Sequence, residues 1–124
     1  MSQQTGRTRR VAELLQQELG PMIQQELRDS RLQWVSVVRV DVAPDLRSAK
    51  VFYSCMPGTE AADAPDEIQA ALEQASGYLK GLLGRRVSLH HVPELTFVYD
   101  ESLEYGDHMN RLLRSLNHGE SDGD

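Results

Sequence analysis

One cysteine, Cys55, stands in the 124 residues. No disulfide can therefore form within the chain, and its apolar, strand-like surroundings predict a buried, reduced thiol of the cytosolic kind. No apolar run approaches the ~20 residues that a membrane-spanning helix requires. The beginning, MSQQTGRTRR, is polar and basic with no apolar stretch behind it, so no secretory signal is expected. Metal and nucleotide chemistry also lack their residues. No Cys/His spacing resembles a zinc site, His90 and adjacent His91 would point to opposite sides of a strand, and no GxxxxGK[ST] loop is present. Aromatic residues are few, with one Trp and two Phe. Trp34, Tyr53, Phe97 and Tyr99 read as core, which leaves Phe52 as the strand aromatic to face outward. A soluble, cytoplasmic single domain without cofactor or metal is expected.

Acids are missing where cations gather. From Ser76 to Val92 there is no Asp or Glu, while Lys80, Arg85, Arg86, His90 and His91 fall in that stretch. The net charge of -6 argues against an anionic partner, but residues 60–67 hold four of the acids and 117–124 three, so the remainder is +1. Local patches rather than net charge govern contact with phosphates. Arg7, Arg9 and Arg10 form a second basic group at the start of a helix, where they oppose the macrodipole.

Along the chain, Val11, Leu14, Leu15, Leu19, Met22, Ile23 and Leu27 keep helical spacing, with Gly20-Pro21 predicting a kink or a restart. Asp29-Ser30 ends that helix. Residues 34–42 alternate as a strand, with Ser36, Val38, Val40 and Val42 on one face, and residues 49–55 form its hairpin partner across Ala43-Pro44-Asp45. Residues 58–65 read as loop. Pro65-Asp66-Glu67 then opens a helix with proline and acids where they are favoured.

That helix carries an apolar stripe of Ile68, Ala71, Leu72, Ala75, Tyr78, Leu79, Leu82 and Leu83, interrupted at Gly77. Two short helices meeting there would aim free N–H groups at the joint and could hold a phosphate. A single helix with one tolerated glycine and a solvated basic end is the simpler account of the local pattern. Residues 95–99 form a third strand, and Met109, Leu112, Leu113 and Leu116 mark a last short helix. The fold class is α+β, two-layer, three strands packed against helices in the order α-β-β-α-α-β plus a C-terminal helix. Residues 1–6 read as a flexible beginning, 7–116 as the domain and 117–124 as a disordered acidic tail.

This order resembles a KH domain of the second topological type, which clamps single-stranded nucleic acid at a GXXG loop between two helices. Here Ala75-Ser76-Gly77 stands at that place, and such an AxG joint is similar to that of the ribosome-binding factor A family. The ordered set agrees: Arg7-x-x-Arg10-Val11, Asp29-x-Arg31-Leu32, Pro44-Asp45-Leu46, Ala49-Lys50-Val51, Gly77-Tyr78-Leu79 and Pro93-Glu94-Leu95-x-Phe97, then Asp100 and Ser102. The resemblance implies a non-enzymatic assembly factor. It would bind the small (30S) ribosomal subunit and its 16S RNA and assist late maturation and RNA processing, especially in the cold. It leaves room for further assembly factors alongside, and a monomer is expected. It implies an RNA contact through Ser76 and Gly77 with Lys80, Arg85, Arg86 and His90, and a second through Arg7 and Arg10. Lys80 and His90 stand where the family pattern has arginine. Lysine lacks the bidentate fork, and histidine is mostly neutral near pH 7.

Two other classes compete. An enzyme would draw on Asp100, Glu101, Glu104, Asp107 and His108, but acids at a helix start are accounted for by capping and dipole. A protein-interaction module would use the hairpin edge and the acidic loop, without RNA.

Overall fold

The computed structural model describes residues 6–89 and 91–101. The first helix, α1 (Gly6–Glu26), buries Thr8, Ala12, Leu15, Leu19, Met22 and Ile23 along one stripe. It does not restart at Gly20-Pro21: Pro21 lies inside it with its ring exposed. An interior proline costs about 3 kcal/mol. Full burial of Leu19, Met22 and Ile23 around it contributes about 1.5–3 kcal/mol each, so the tertiary contribution wins.

A 3-10 turn, Ser30–Trp34, follows, and the Asp29 carboxylate accepts the Arg31 backbone N–H at 3.1 Å at its start. Strand β1 (Val35–Val42) pairs antiparallel with β2 (Ser48–Cys55), and β2 pairs parallel with β3 (Glu94–Tyr99), in the sheet order β1-β2-β3. The strict alternation expected of β1 breaks between Val37 and Arg39, where the register shifts. Val35 is buried and Ser36 exposed on one side of this bulge, and Val40 and Val42 are buried on the other. One extra residue thus lets both ends of the strand turn valines inward. β2 alternates cleanly, with Ala49, Val51, Tyr53 and Cys55 buried, so the thiol is where its neighbours placed it. Phe52 faces outward under the Arg39 guanidinium, 3.8 Å from the ring centre.

Residues 60–63 are not plain loop but one helical turn, α2 (Glu60–Asp63), held by its fully buried Ala61. Helix α3 then runs without interruption from Pro65 to Arg86. The expected joint of two helices at Ala75-Ser76-Gly77 is therefore corrected. Gly77 costs on the order of 1 kcal/mol, while Leu72 before it and Leu79 and Leu83 after it are all fully buried on one stripe. Tyr78 departs from that stripe and is 51% exposed. The expected C-terminal helix and the acidic tail lie outside the described residues.

Helices α1 and α3 pack on one face of the sheet, against β1 and β3 respectively, which gives the two-layer α+β architecture. Between the layers Tyr53 donates its hydroxyl to Gln69 Oε1 at 2.5 Å, and Gln69 Nε2 donates to the Phe97 carbonyl at 2.8 Å. Burial pushes the Tyr53 phenol up to about 12 from 10.0. Because the fold holds the neutral form, this contribution is complete below pH 10 and is lost as pH rises from 10 toward 12. Tyr53→Phe should cost about 1 kcal/mol at pH 8 through the lost hydrogen bond. It should also flatten the alkaline decline. Urea unfolding at pH 8 and pH 11 tests this, and parallel declines in both proteins would contradict it.

Candidate nucleic-acid interface

The acid-free stretch occupies the second half of α3. Gly77, Gly81 and Gly84 recur at i, i+4 and i+7, so they line one side of the helix, and all three are exposed. No packing demands glycine at these places. A Cβ at Gly77 would meet nothing within 4 Å, one at Gly81 only the Arg85 Nη1 at 4.0 Å, and one at Gly84 only the Val92 Cγ2 at 3.8 Å. The result is a strip of bare helix backbone with Lys80 on one flank and Arg85 on the other. Ser76 adjoins it, its hydroxyl donating back to the Glu73 carbonyl at 2.9 Å. Composition and pattern single out Gly77. The spacing of Gly81 and Gly84, opposite the leucine stripe, is the signal for the other two.

The cations differ in their engagement. Arg85 makes no ion pair among the described residues. Lys80 is paired with Glu94, which the start of β3 presents. The Glu94 N–H donates to the Arg47 carbonyl at 2.9 Å, and so ties that strand end to the hairpin turn. Arg86 reaches across to Glu26 at the end of α1, 2.6 Å away. Both arginines also sit in the last turn of α3, where cations favour the macrodipole. His90 lies outside the described residues.

Arg7 and Arg10 are exposed near the start of α1, without an ion pair among the described residues and with no acid in that first turn. At about 1.5 Å per residue, Arg10 is about 24 Å along α1 from Glu26, and hence from the Arg86 head group. The structure therefore unites Ser76, Gly77, Lys80 and Arg85 along one helix and leaves Arg7 and Arg10 as a separate patch at the far end of α1 from Arg86.

Beside Tyr78 a cleft of about 530 Å³ opens between α3 and the segment joining α1 to β1. On its rim Arg31 bonds both Asp29, at 2.6 Å, and Glu67, at 2.7 Å, so that three side chains form one unit with a net charge of -1. The Arg31 guanidinium holds the Asp29 carboxyl below its ordinary range. No local pattern signals this unit, because Glu67 is remote in the chain.

Edge strand β1 offers less than a bare edge would. Gln16 and Gln24 of α1 donate to the Val38 and Val35 carbonyls at 3.0 and 3.3 Å, and the bulge disrupts the ladder. The acid group proposed for an enzyme is represented by Asp100 and Glu101. Asp100 is buried, with Arg39 Nη1 3.5 Å away, and the other members lie outside the described residues. Among the described residues no cluster of three or more His, Cys, Asp or Glu could hold a metal, and no helix is long and apolar enough to cross a membrane.

Residues 7–113 match the family model described as ribosome-binding factor A. A relative from Coxiella burnetii (strain Dugway 5J108-111), named ribosome-binding factor A, is 43% identical over 117 residues, which are 94% of this chain and 95% of that one. The crystal structure of ribosome-binding factor A from Thermus thermophilus superposes with a TM-score of 0.63 at 26% identity, covering 77% of this chain and 97% of that one. A homology model of the Thermus thermophilus ribosome-binding factor A, fitted into the cryo-EM map of a complex of that protein with 30S, gives a TM-score of 0.58 at 28% identity, covering 73% of this chain and 91% of that one.

Proposed function

The chain belongs to the ribosome-binding factor A family, and on that premise we propose that it binds the small ribosomal subunit through its 16S RNA and assists late maturation, including processing of that RNA. It does so by binding rather than catalysis, as a cytoplasmic monomer without a cofactor, alongside other assembly factors, and with greatest effect in the cold. The observation that carries this reading is the bare backbone strip of α3 between Lys80 and Arg85. A strip without side chains lets a sugar-phosphate backbone approach closely, and the flanking cations replace its condensed counterions. Ser76 and Gly77 lie at the contact, flanked by Lys80 and Arg85; Arg86, which α3 turns to its opposite side toward Glu26, and His90 add further phosphate contacts, while Arg7 and Arg10 make a second, separate contact. Recognition is of the backbone and shape of a folded RNA site rather than of base sequence.

Co-sedimentation with purified small subunits, large subunits and no particle, across a salt series, tests the proposal. Retention by the small subunit alone is expected. With Lys80, Arg85, Arg86, Arg7 and Arg10 in contact, log affinity should fall against log salt with a slope of about -3.5 to -4.5. No retention at low salt would overturn the reading.

Two of these cations are held by acids, which a phosphate must displace. Glu94→Gln and Glu26→Gln release Lys80 and Arg86. Exposed pairs are worth about 0.2–1 kcal/mol, so each variant should bind small subunits up to about fivefold more tightly with little change in stability. Titration of labelled protein checks this, and equal or weaker binding would contradict it.

A further inference from the structure

Tyr78 is one of two large apolar side chains that the described structure leaves exposed, at 51%. It is not part of the core, and its hydroxyl makes no hydrogen bond among the described residues. It forms one wall of the cleft between α3 and the α1–β1 segment, whose lining includes Ala71, Ala75 and Leu27, with Gln74 and Arg28 as polar neighbours. We propose that this cleft receives one unstacked nucleotide of the bound RNA, its base stacked on the Tyr78 ring over the alanines and its phosphate near Arg28. The inference rests on the RNA-binding reading above and assigns that reading a specific subsite.

Three features favour this occupant. The cleft is continuous with the bare strip: Tyr78 follows Gly77, and Gln74, Gly81 and Arg85 lie on the adjoining side of the same helix. A strand tracking that strip needs to turn only one base off its path to enter. The cleft, at about 530 Å³, falls within the range of roughly 300–1,000 Å³ usual for small-ligand sites. Its charges also admit a nucleotide. Arg31 engages both Asp29 and Glu67 and leaves that unit one net negative charge, which Arg28, exposed and without an ion pair among the described residues, balances. Single-stranded RNA bases are commonly splayed out and stacked on tyrosine in this manner. Gln74 offers both a donor and an acceptor to the base edge.

The test uses the full chain with purified small subunits. Affinities are measured for wild type, Tyr78→Ala, Tyr78→Phe and Tyr78→Leu, and the complexes are irradiated with ultraviolet light and digested for mass spectrometry. Stacking on an aromatic is worth about 1–3 kcal/mol per base, so Tyr78→Ala should weaken binding about tenfold or more. Tyr78→Phe should stay within about twofold of wild type, Tyr78→Leu should resemble alanine, and a nucleotide adduct should map to the peptide containing residue 78. Wild-type affinity in Tyr78→Ala or Tyr78→Leu would overturn the subsite, as would a cross-link from that peptide to a ribosomal protein instead of RNA. In either case wild-type retention by the small subunit leaves the broader reading intact. Failure of the wild-type protein to bind the small subunit would sink both. Thermal unfolding of each variant, expected to match wild type because Tyr78 is exposed, separates lost contact from lost fold.

Discussion

Replacing both Lys80 and Arg85 by glutamate is expected to abolish association with the small subunit while the domain stays folded. A charge-assisted hydrogen bond contributes about 1.5–3 kcal/mol, so losing two phosphate contacts removes about 3–6 kcal/mol, or roughly 10²–10⁴ in affinity, before repulsion is counted. The salt slope of any residual binding should be shallower by about 2. Stability changes far less. The Lys80–Glu94 pair is exposed, with side-chain exposures of 36% and 74%, so its loss is worth at most about 1 kcal/mol. Arg85 has no ion pair to lose among the described residues. Binding and thermal unfolding measured on the same preparation separate the effects. Retained binding at low salt by a folded double variant would remove α3 from the interface.

The second large effect runs in opposite directions for stability and binding. Changing Gly77, Gly81 and Gly84 together to alanine should stabilise the free protein and weaken its association. Each alanine in an unstrained helix is worth about 0.4–1 kcal/mol, so three contribute about 1–3 kcal/mol. That corresponds to a rise of roughly 5–20 °C in Tm for a domain of this size. The added methyl groups meet nothing closer than ordinary contact, at 3.8 Å for Gly84 and 4.0 Å for Gly81. They do occupy the strip along which the RNA backbone is proposed to run. A triple variant that is more stable and binds as well as wild type would assign the glycines no role at the contact. One that is less stable would mean that they serve the fold.

This opposition also explains what could be read in advance. The apolar spacing of Leu15, Leu19, Met22 and Ile23, and of Ile68, Leu72, Leu79 and Leu83, located both long helices because burial of those side chains dominates their energetics. Gly20-Pro21 and Gly77 read as breaks for the converse reason. Local propensity is visible in sequence, but the several kcal/mol of tertiary burial that override it are not. The bulge between Val37 and Arg39 depends on the pairing of two strands, and the exposure of Tyr78 depends on which elements pack beside α3. Neither has a local signature. At the site, the cations and Gly77 were legible as residue types in an acid-free stretch. Their partners were not, since Glu94 and Glu26 lie 14 and 60 residues from the cations they hold. The regular spacing of Gly81 and Gly84 was present but became meaningful only once α3 proved continuous.

In the proposed complex the strip of α3 marked by Gly77, Gly81 and Gly84 lies against ribosomal RNA. The most direct measurement is a cryo-EM structure of the chain bound to purified small subunits. These glycines are expected to face an RNA backbone, with Lys80 and Arg85 at hydrogen-bonding distance from its phosphates and Lys80 detached from Glu94. A bound chain with this side of α3 turned to solvent, or covered by a ribosomal protein, would contradict it.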